Sequence, residues 1–304
     1  MESSEVEPDL ITARRAHPVA RRVRRGALSL MWALAGVGLV VVMWELVKAL
    51  GTVVSLPFDS SNDTMPHVWT IFSGFNTPEV RGSDTTVLQS VASATVNSLK
   101  LALGGFAIGV SVGILLAVIM QRFAFLERGL LPFVIASQTV PLIALAPLIV
   151  GIGNKVSFGP FQWGVSQSVM FIAAYLAFFP LSVGALRGLK APTATSRELM
   201  RSYAARPNQV LTKLSFPASI PYLIPAMKVS AAAAVVGTVV AEISAGVRGG
   251  VGRLIIEYSR ETTAEPAKVF VATLGAVALG LLAAGFVTLL DLYLTRNLPK
   301  EGVV

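Results

Sequence analysis

Six stretches of the chain are apolar for too long to belong to amphipathic surface helices: 27–47, 94–120, 130–150, 166–187, 222–243 and 269–294. A helix needs roughly 20 such residues to cross about 30 Å of hydrocarbon, where every backbone polar group must be satisfied internally. The pattern predicts an all-α polytopic membrane protein with six transmembrane helices. Lys100 interrupts the second stretch and either snorkels to the interface or marks where the span begins. Lys228, near the start of the fifth, and Asp291, near the end of the sixth, read as interfacial. Gly104, Gly105, Gly109 and Gly113 form a small-residue series that lets helix backbones approach closely. The third stretch carries Gln138, Thr139, Pro141 and Pro147. Proline bends a membrane helix, so this segment reads either as a packing kink or as a wall along a path, with Gln138 as its polar contact.

The intervening polar segments differ in kind. Residues 48–93 are rich in Pro, Ser, Thr, Asp and Gly and lack the apolar periodicity of an independent domain; His67 and Trp69 there support a short interfacial helix after Pro66. The segment 188–220 is polar yet periodic. Thr195 or Ser196 caps a first short helix, with Glu198 in the turn where the dipole favours an acid. Leu199, Met200 and Tyr203 give it an apolar stripe. Pro207 starts a second short helix with Val210, Leu211 and Leu214 as its apolar face, and Pro217 and Pro221 end it and open the fifth span. Such helices lie on a bilayer surface or fill a groove in a partner protein, and periodicity alone leaves both open.

Composition agrees with the spans: 54% of residues are hydrophobic and 14% charged, against about 25% charged in soluble domains. With no cysteine, disulfides, thiolate metal sites and cysteine nucleophiles are excluded. The net charge of +8 is informative through its placement, and it calls for no nucleic-acid partner. Arg14, Arg15, Arg21, Arg22, Arg24 and Arg25 precede the first span. Glu45 follows the apolar run where a signal peptide would have small residues, so the run reads as a retained helix. A multi-pass protein with both termini in the cytoplasm places these arginines there. It also places Arg122, Arg128, Arg187, Lys190, Arg197, Arg201, Arg206, Lys213, Arg296 and Lys300 inside, most of the 25 basic residues. The basic residues from Arg248 to Lys268 weaken the bias. The domain reading is a cytoplasmic basic tail at 1–26, a first helix at 27–47, an extracytoplasmic segment at 48–93, a core at 94–294 and a cytoplasmic tail at 295–304.

The chain shows no Walker A motif, no paired carboxylates in a polar pocket and no serine–histidine arrangement, so it offers no catalytic residue and no metal site. It carries no visible machinery for hydrolysing ATP or anything else. A driving force must come from another subunit or an ion gradient. The mid-span acids and repeated broken helices of secondary transporters are missing, and Glu242 lies at the end of the fifth span.

The segment 188–220 resembles the E-A-A…G signature of inner-membrane permease subunits of binding-protein-dependent ABC importers. Glu198-Leu199-Met200 stand at the E-A-A triplet, Ala204 at the usual glycine and Phe216-Pro217-Ala218 at the L-P-A turn. Gln138-Thr139-Val140-Pro141, Ala144-Leu145-Ala146-Pro147-Leu148, Val239-Val240-Ala241-Glu242 and Gly249-Gly250-Val251-Gly252 are similar to one subgroup, which handles nitrate, sulfonates, taurine and thiamine-precursor or riboflavin-like compounds.

The resemblance implies a type I ABC importer permease fold in a bacterial inner membrane, carrying a small organic solute or oxyanion. Its partners would be two cytoplasmic ATP-binding subunits that hold ATP and Mg, a second permease copy in a homodimer, an extracytoplasmic solute-binding protein and membrane lipid. No cofactor is bound by this chain. Coupling to the ATPase falls on Glu198, Leu199, Met200, Arg201, Tyr203, Ala204 and Arg206, with alanine at 204 implying a milder, helical bend. Pathway candidates are the neutral Gln138, Thr139, Ser166, Gln167, Ser168 and Thr238. The alternatives are an ion-gradient-driven secondary transporter and a non-transporting membrane scaffold.

Overall fold

The computed structural model describes residues 18–53, 57, 59–80, 82–158, 161–261 and 265–295. Arg14, Arg15, His17, Arg296 and Lys300 lie outside the described residues, as do the side chains of Arg21, Arg22, Arg24 and Arg25. The chain divides into two units, residues 1–69 and 70–304.

In the first unit, helix α1 (Pro18–Val53) carries a membrane-spanning stretch at Met31–Val53. Its last turns are tied to residues 62–68. Trp44 Nε1 donates to the Pro66 carbonyl at 3.0 Å. Lys48, buried, donates to Asn62 Oδ1 at 2.7 Å and to the Met65 carbonyl. Glu45 pairs with His67 at 2.8 Å and accepts the Val68 N–H at 2.9 Å. That bond caps helix α2 (Val68–Ser73), the short helix expected after Pro66.

The second unit is a helical bundle. Thr86 and Gln89 form a capping box that starts α3 (Val87–Arg122), seven residues before the apolar run begins, because Gln89, Ser90, Ser93 and Asn97 serve as its polar outer turns. Lys100 is therefore interior to the helix and exposed. Helices α4 (Ala124–Ala136) and α5 (Leu142–Gly153) follow, then a two-residue hairpin of β1 (Ser157–Phe158) and β2 (Phe161–Gln162). Next come α6 (Val165–Leu189), α7 (Ala194–Ser202), α8 (Pro207–Val210), α9 (Phe216–Ala245), α10 (Val251–Ser259) and α11 (Ala267–Thr295).

The third span is not one helix. Its chain bends by 98° at residues 137–141, where Pro141 has no N–H to continue the ladder and disfavours helix at Val140. Among the described residues five helices are long and apolar enough to cross a membrane, or six when the bent α4–α5 pair is counted as one span. Its contacts with α6 extend from one end of that helix to the other. Glu127 at the start of α4 pairs with Lys190 beyond the C-terminal end of α6. Ser137 at the break accepts from Tyr175 Oη at 2.6 Å in mid-α6. Ile149 in α5 faces Ser168 in the first turn of α6. The broken pair thus runs the length of α6, which lets α3 and α6 lie parallel.

Glycines set how closely these helices meet. A Cβ on Gly105 would lie 2.4 Å from Ala173 Cβ, on Gly109 2.8 Å from Ala177 Cβ, and on Gly113 2.9 Å from the Phe178 carbonyl. On the other side of α6, a Cβ on Gly237 would lie 2.9 Å from Ala173 Cα, and one on Gly184 2.3 Å from Ala226 Cβ. Helix α6 is therefore held between α3 and α9 at backbone contact, with Leu181, Ile172 and Val169 fully enclosed. Lys228 is well inside α9, not near its start, because that helix begins earlier than the apolar run; it pairs with Asp291 of α11 at 2.9 Å.

Gly105→Val overpacks the α3–α6 contact and should destabilise the protein by about 1–3 kcal/mol. Gly129→Ala, where nothing lies within 4 Å, should be neutral or stabilising, since alanine is the better helix former. Thermal unfolding in detergent compares the two.

Candidate functional site

The parallel run of α3 and α6 defines two ends of the bundle. One gathers Arg122, Arg128, Arg187, Lys190, Arg197, Arg201, Arg206 and Lys213 around α7 and α8. The other gathers residues 74–80 and 82–86, the β-hairpin and α10.

At the basic end, α7 stands free of the core: it has no buried residue. Leu199 is 56% and Tyr203 75% exposed, while Met200 is half-buried. Glu198, Arg201 and Arg206 are exposed. The helix is nevertheless firmly anchored. Its cap is Thr193, whose Oγ1 accepts the Ser196 N–H at 3.2 Å, not Thr195 or Ser196; those lie one turn inside, and Thr193 alone has the extended backbone a cap requires. Arg197 Nη2 donates to the Lys190 carbonyl at 2.6 Å.

Its other end closes with the Ala205 N–H on the Met200 carbonyl at 3.0 Å and the Ala204 N–H on the Arg201 carbonyl at 2.8 Å. These paired bonds form a Schellman motif with Ala204 at the position that glycine usually takes. Ala204 has φ +51° and is the only non-glycine with positive φ among the described residues. The expectation of a milder, helical bend is therefore wrong. The left-handed turn is kept despite the Cβ, because both hydrogen bonds and the return of the chain into α8 require it.

The chain then enters the core without a stop. Pro207 opens α8, a wide turn spans Leu211–Ser215 with the Phe216 N–H on the Leu211 carbonyl, and α9 continues through Pro217, Pro221 and Pro225. The prolines were expected to end a second helix. The wide turn instead shifts the ladder by one residue, so Pro217 enters without its ring striking the carbonyl four residues back. Val210, Leu211 and Leu214 are half-buried, and Leu211 packs on Leu186, Leu189 and their neighbours, so their apolar face is spent on the chain itself.

The pathway candidates do not form one cluster. Gln138 and Thr139 are exposed at the break of α4–α5, beside Tyr175. Ser166 is exposed about 14 Å away along α6, at 1.5 Å per residue. Gln167 is half-buried and caps its own helix by accepting the Gly164 N–H at 3.0 Å. Ser168 is fully enclosed, accepting from Trp163 Nε1 at 2.8 Å, and Thr238 is also enclosed. These last two line no surface of the chain.

At the opposite end lie two charged knots that sequence reading missed. Glu242, fully buried, accepts from Ser98 Oγ at 2.7 Å and from the Gly252 N–H at 2.9 Å, and Ser98 Oγ accepts the Val251 N–H at 2.9 Å. Lys268, 3% exposed, donates to the Glu79 carbonyl at 2.8 Å and pairs with Glu265 at 2.5 Å. Tyr258 donates to Glu79 Oε1 at 3.4 Å; burial first, then the Glu79 carboxylate, push its phenol well above the usual range, so it stays protonated. An acid at the end of an apolar run, followed by Gly249-Gly250-Val251-Gly252, was the available signal. No group of metal-ligating side chains exists among the described residues.

Helices of membrane length with an exposed, anchored amphipathic helix at the basic end mark a polytopic membrane protein. The chain belongs to the family described as binding-protein-dependent transport system inner membrane component, whose profile matches residues 109–296. It is the membrane permease component of an ABC-type transport system. It is similar to the formylaminopyrimidine transport permease protein ThiX of Halalkalibacterium halodurans, at 33% identity over 45% of this chain and 52% of that protein. It is also similar to the riboflavin transport system permease protein RibX of Chloroflexus aurantiacus, at 30% over 53% and 56%. A third relative is the putative aliphatic sulfonates transport permease protein SsuC of Bacillus subtilis, at 25% over 91% of each. The chain thus aligns with about half the length of the first two. A crystal structure of an amino acid ABC transporter with histidines shares the fold, with a TM-score of 0.53 at 15% identity over 67% of this chain and 94% of that one.

Ala204→Gly should stabilise the α7 turn by about 0.5–1 kcal/mol, since alanine in the left-handed region carries a penalty that exceeds glycine's entropic cost. Ala204→Val should destabilise it by more. Hydrogen exchange at the Ala204 and Ala205 amides reads both.

Proposed function

We propose that the chain forms half of the translocation pathway of an ATP-driven importer and that α7 docks in a cleft of a cytoplasmic ATP-binding subunit. One observation carries this reading. Helix α7 exposes Leu199 and Tyr203 while Thr193, Arg197 and the Schellman turn hold its backbone, so it presents apolar side chains without yielding. A helix resting on lipid would need no such bracing. Met200, half-buried, supports the turn, and Arg201 and Arg206 supply rim contacts. Helices α8 and α9 carry any displacement of α7 directly into the bundle.

The basic residues around α7 support an inside location for that end, and in this reading both termini are cytoplasmic. ATP and Mg belong to the partner subunit. A second copy of the chain completes the pathway, and an extracytoplasmic binding protein delivers cargo to the end that holds α10. The exposed neutral groups Gln138, Thr139 and Ser166, together with the cargoes for which ThiX, RibX and SsuC are named, favour a small organic solute such as a pyrimidine, a flavin or a sulfonate.

Replacing Leu199 and Tyr203 together by Asp should abolish co-purification with the cognate ATPase and reduce uptake to background, with thermal stability within about 0.5 kcal/mol, as for exposed sites. Retained assembly of the double variant sinks the docking reading.

A further inference from the structure

The docking reading makes no use of Glu242, yet among the described residues it is the only carboxylate with no exposed surface. Burying such a group costs several kcal/mol of hydration unless donors replace the water. The replacements come from two directions. The first two N–H groups of α10, which no helix can satisfy internally, go to Ser98 Oγ of α3 and to Glu242 Oε2 of α9. The Ser98 hydroxyl closes the ring onto Glu242 Oε1. Three helices thus share one set of polar atoms.

The fit around the ring is equally tight. A Cβ on Gly250 would lie 2.2 Å from Glu242 Cδ, and one on Gly252 2.7 Å from the Val239 carbonyl. The far end of α10 is held as well, through Tyr258 on Glu79 and the enclosed Lys268 below it. Helix α10 cannot swing alone.

We propose that Glu242 is a positioning residue that locks α10 to α3 and α9, so that the outer helix moves as one body with them during the transport cycle. This rests on the permease reading. Because α9 begins at the docking turn, a displacement delivered to α7 arrives at α10 through the Glu242 ring. The carboxyl group is required for its two acceptor oxygens. In Glu242→Gln, the amide oxygen can accept from Gly252, but the amide nitrogen turns a donor towards Ser98 and leaves the serine proton without an acceptor. In Glu242→Ala, the ring is gone.

The test uses the full chain in nanodiscs, then the same chain assembled with its ATPase and cargo-loaded binding protein. Hydrogen-exchange protection at Val251 and Gly252 should fall roughly 10-fold for Glu242→Gln and about 100-fold for Glu242→Ala, the range for leaving buried donors without acceptors. Ser98→Ala should resemble the glutamine variant. Assembly and basal ATP turnover should hold, while stimulation by the loaded binding protein falls in the order Glu, Gln, Ala. If Glu242→Ala does not fold, Glu242→Gln and Ser98→Ala, which change little volume, carry the comparison. Wild-type protection in these variants overturns the lock, and so does lost protection with undiminished stimulation. Failure of the wild-type chain to assemble with any ATPase defeats the docking reading instead, while the exchange arm still decides whether the ring exists.

Discussion

The backbone-to-backbone approach of α6 to both α3 and α9 is the constraint on which the bundle depends. Ala173 meets both neighbours at once, with Gly105 on one side and Gly237 on the other. In hydrocarbon, helices gain little from hiding apolar surface, and packing at small residues takes over as the attraction. With α6 held there, α3 must run parallel to it, and the chain between them must return across the membrane. The α4–α5 pair makes that return in a bent path, anchored to α6 at both ends and at the break.

Transmission through the molecule follows from the same packing. Helix α9 is continuous from its wide turn at Leu211–Ser215 to the capping glycine at 246, so both ends of the protein hang on one rod. At its basic end the rod carries the braced turn of α7, at its other end the Glu242 ring and α10. The strained Ala204 shows how narrowly that turn is specified, since the chain accepts a left-handed alanine to keep it.

Much of this was legible in the sequence. The apolar runs located the membrane-length helices, and the E-L-M…A…F-P-A register located the exposed helix α7, because both are local patterns. What remained hidden was non-local. The helical run of α3 past its apolar stretch depended on Thr86 and Gln89, whose polarity reads as loop. Pro217 and Pro221 read as stops, since the wide turn that admits them leaves no mark in composition. Ser168 and Thr238 looked like pathway groups because hydroxyls in spans do not reveal which neighbour encloses them. Glu242 read only as an acid at the end of the fifth span, for its partner Ser98 lies far away in the chain.

The central claim is that α7 is the joint between this permease and its motor. The chain contains no cysteine, so a single Ser202→Cys at the exposed last turn of α7 can carry a spin label without background. The label's mobility, read in nanodiscs before and after addition of the ATPase, tests the joint directly. The account predicts strong immobilisation on assembly and a further change on ATP binding. A label that stays mobile while the ATPase is bound and turning over would contradict it.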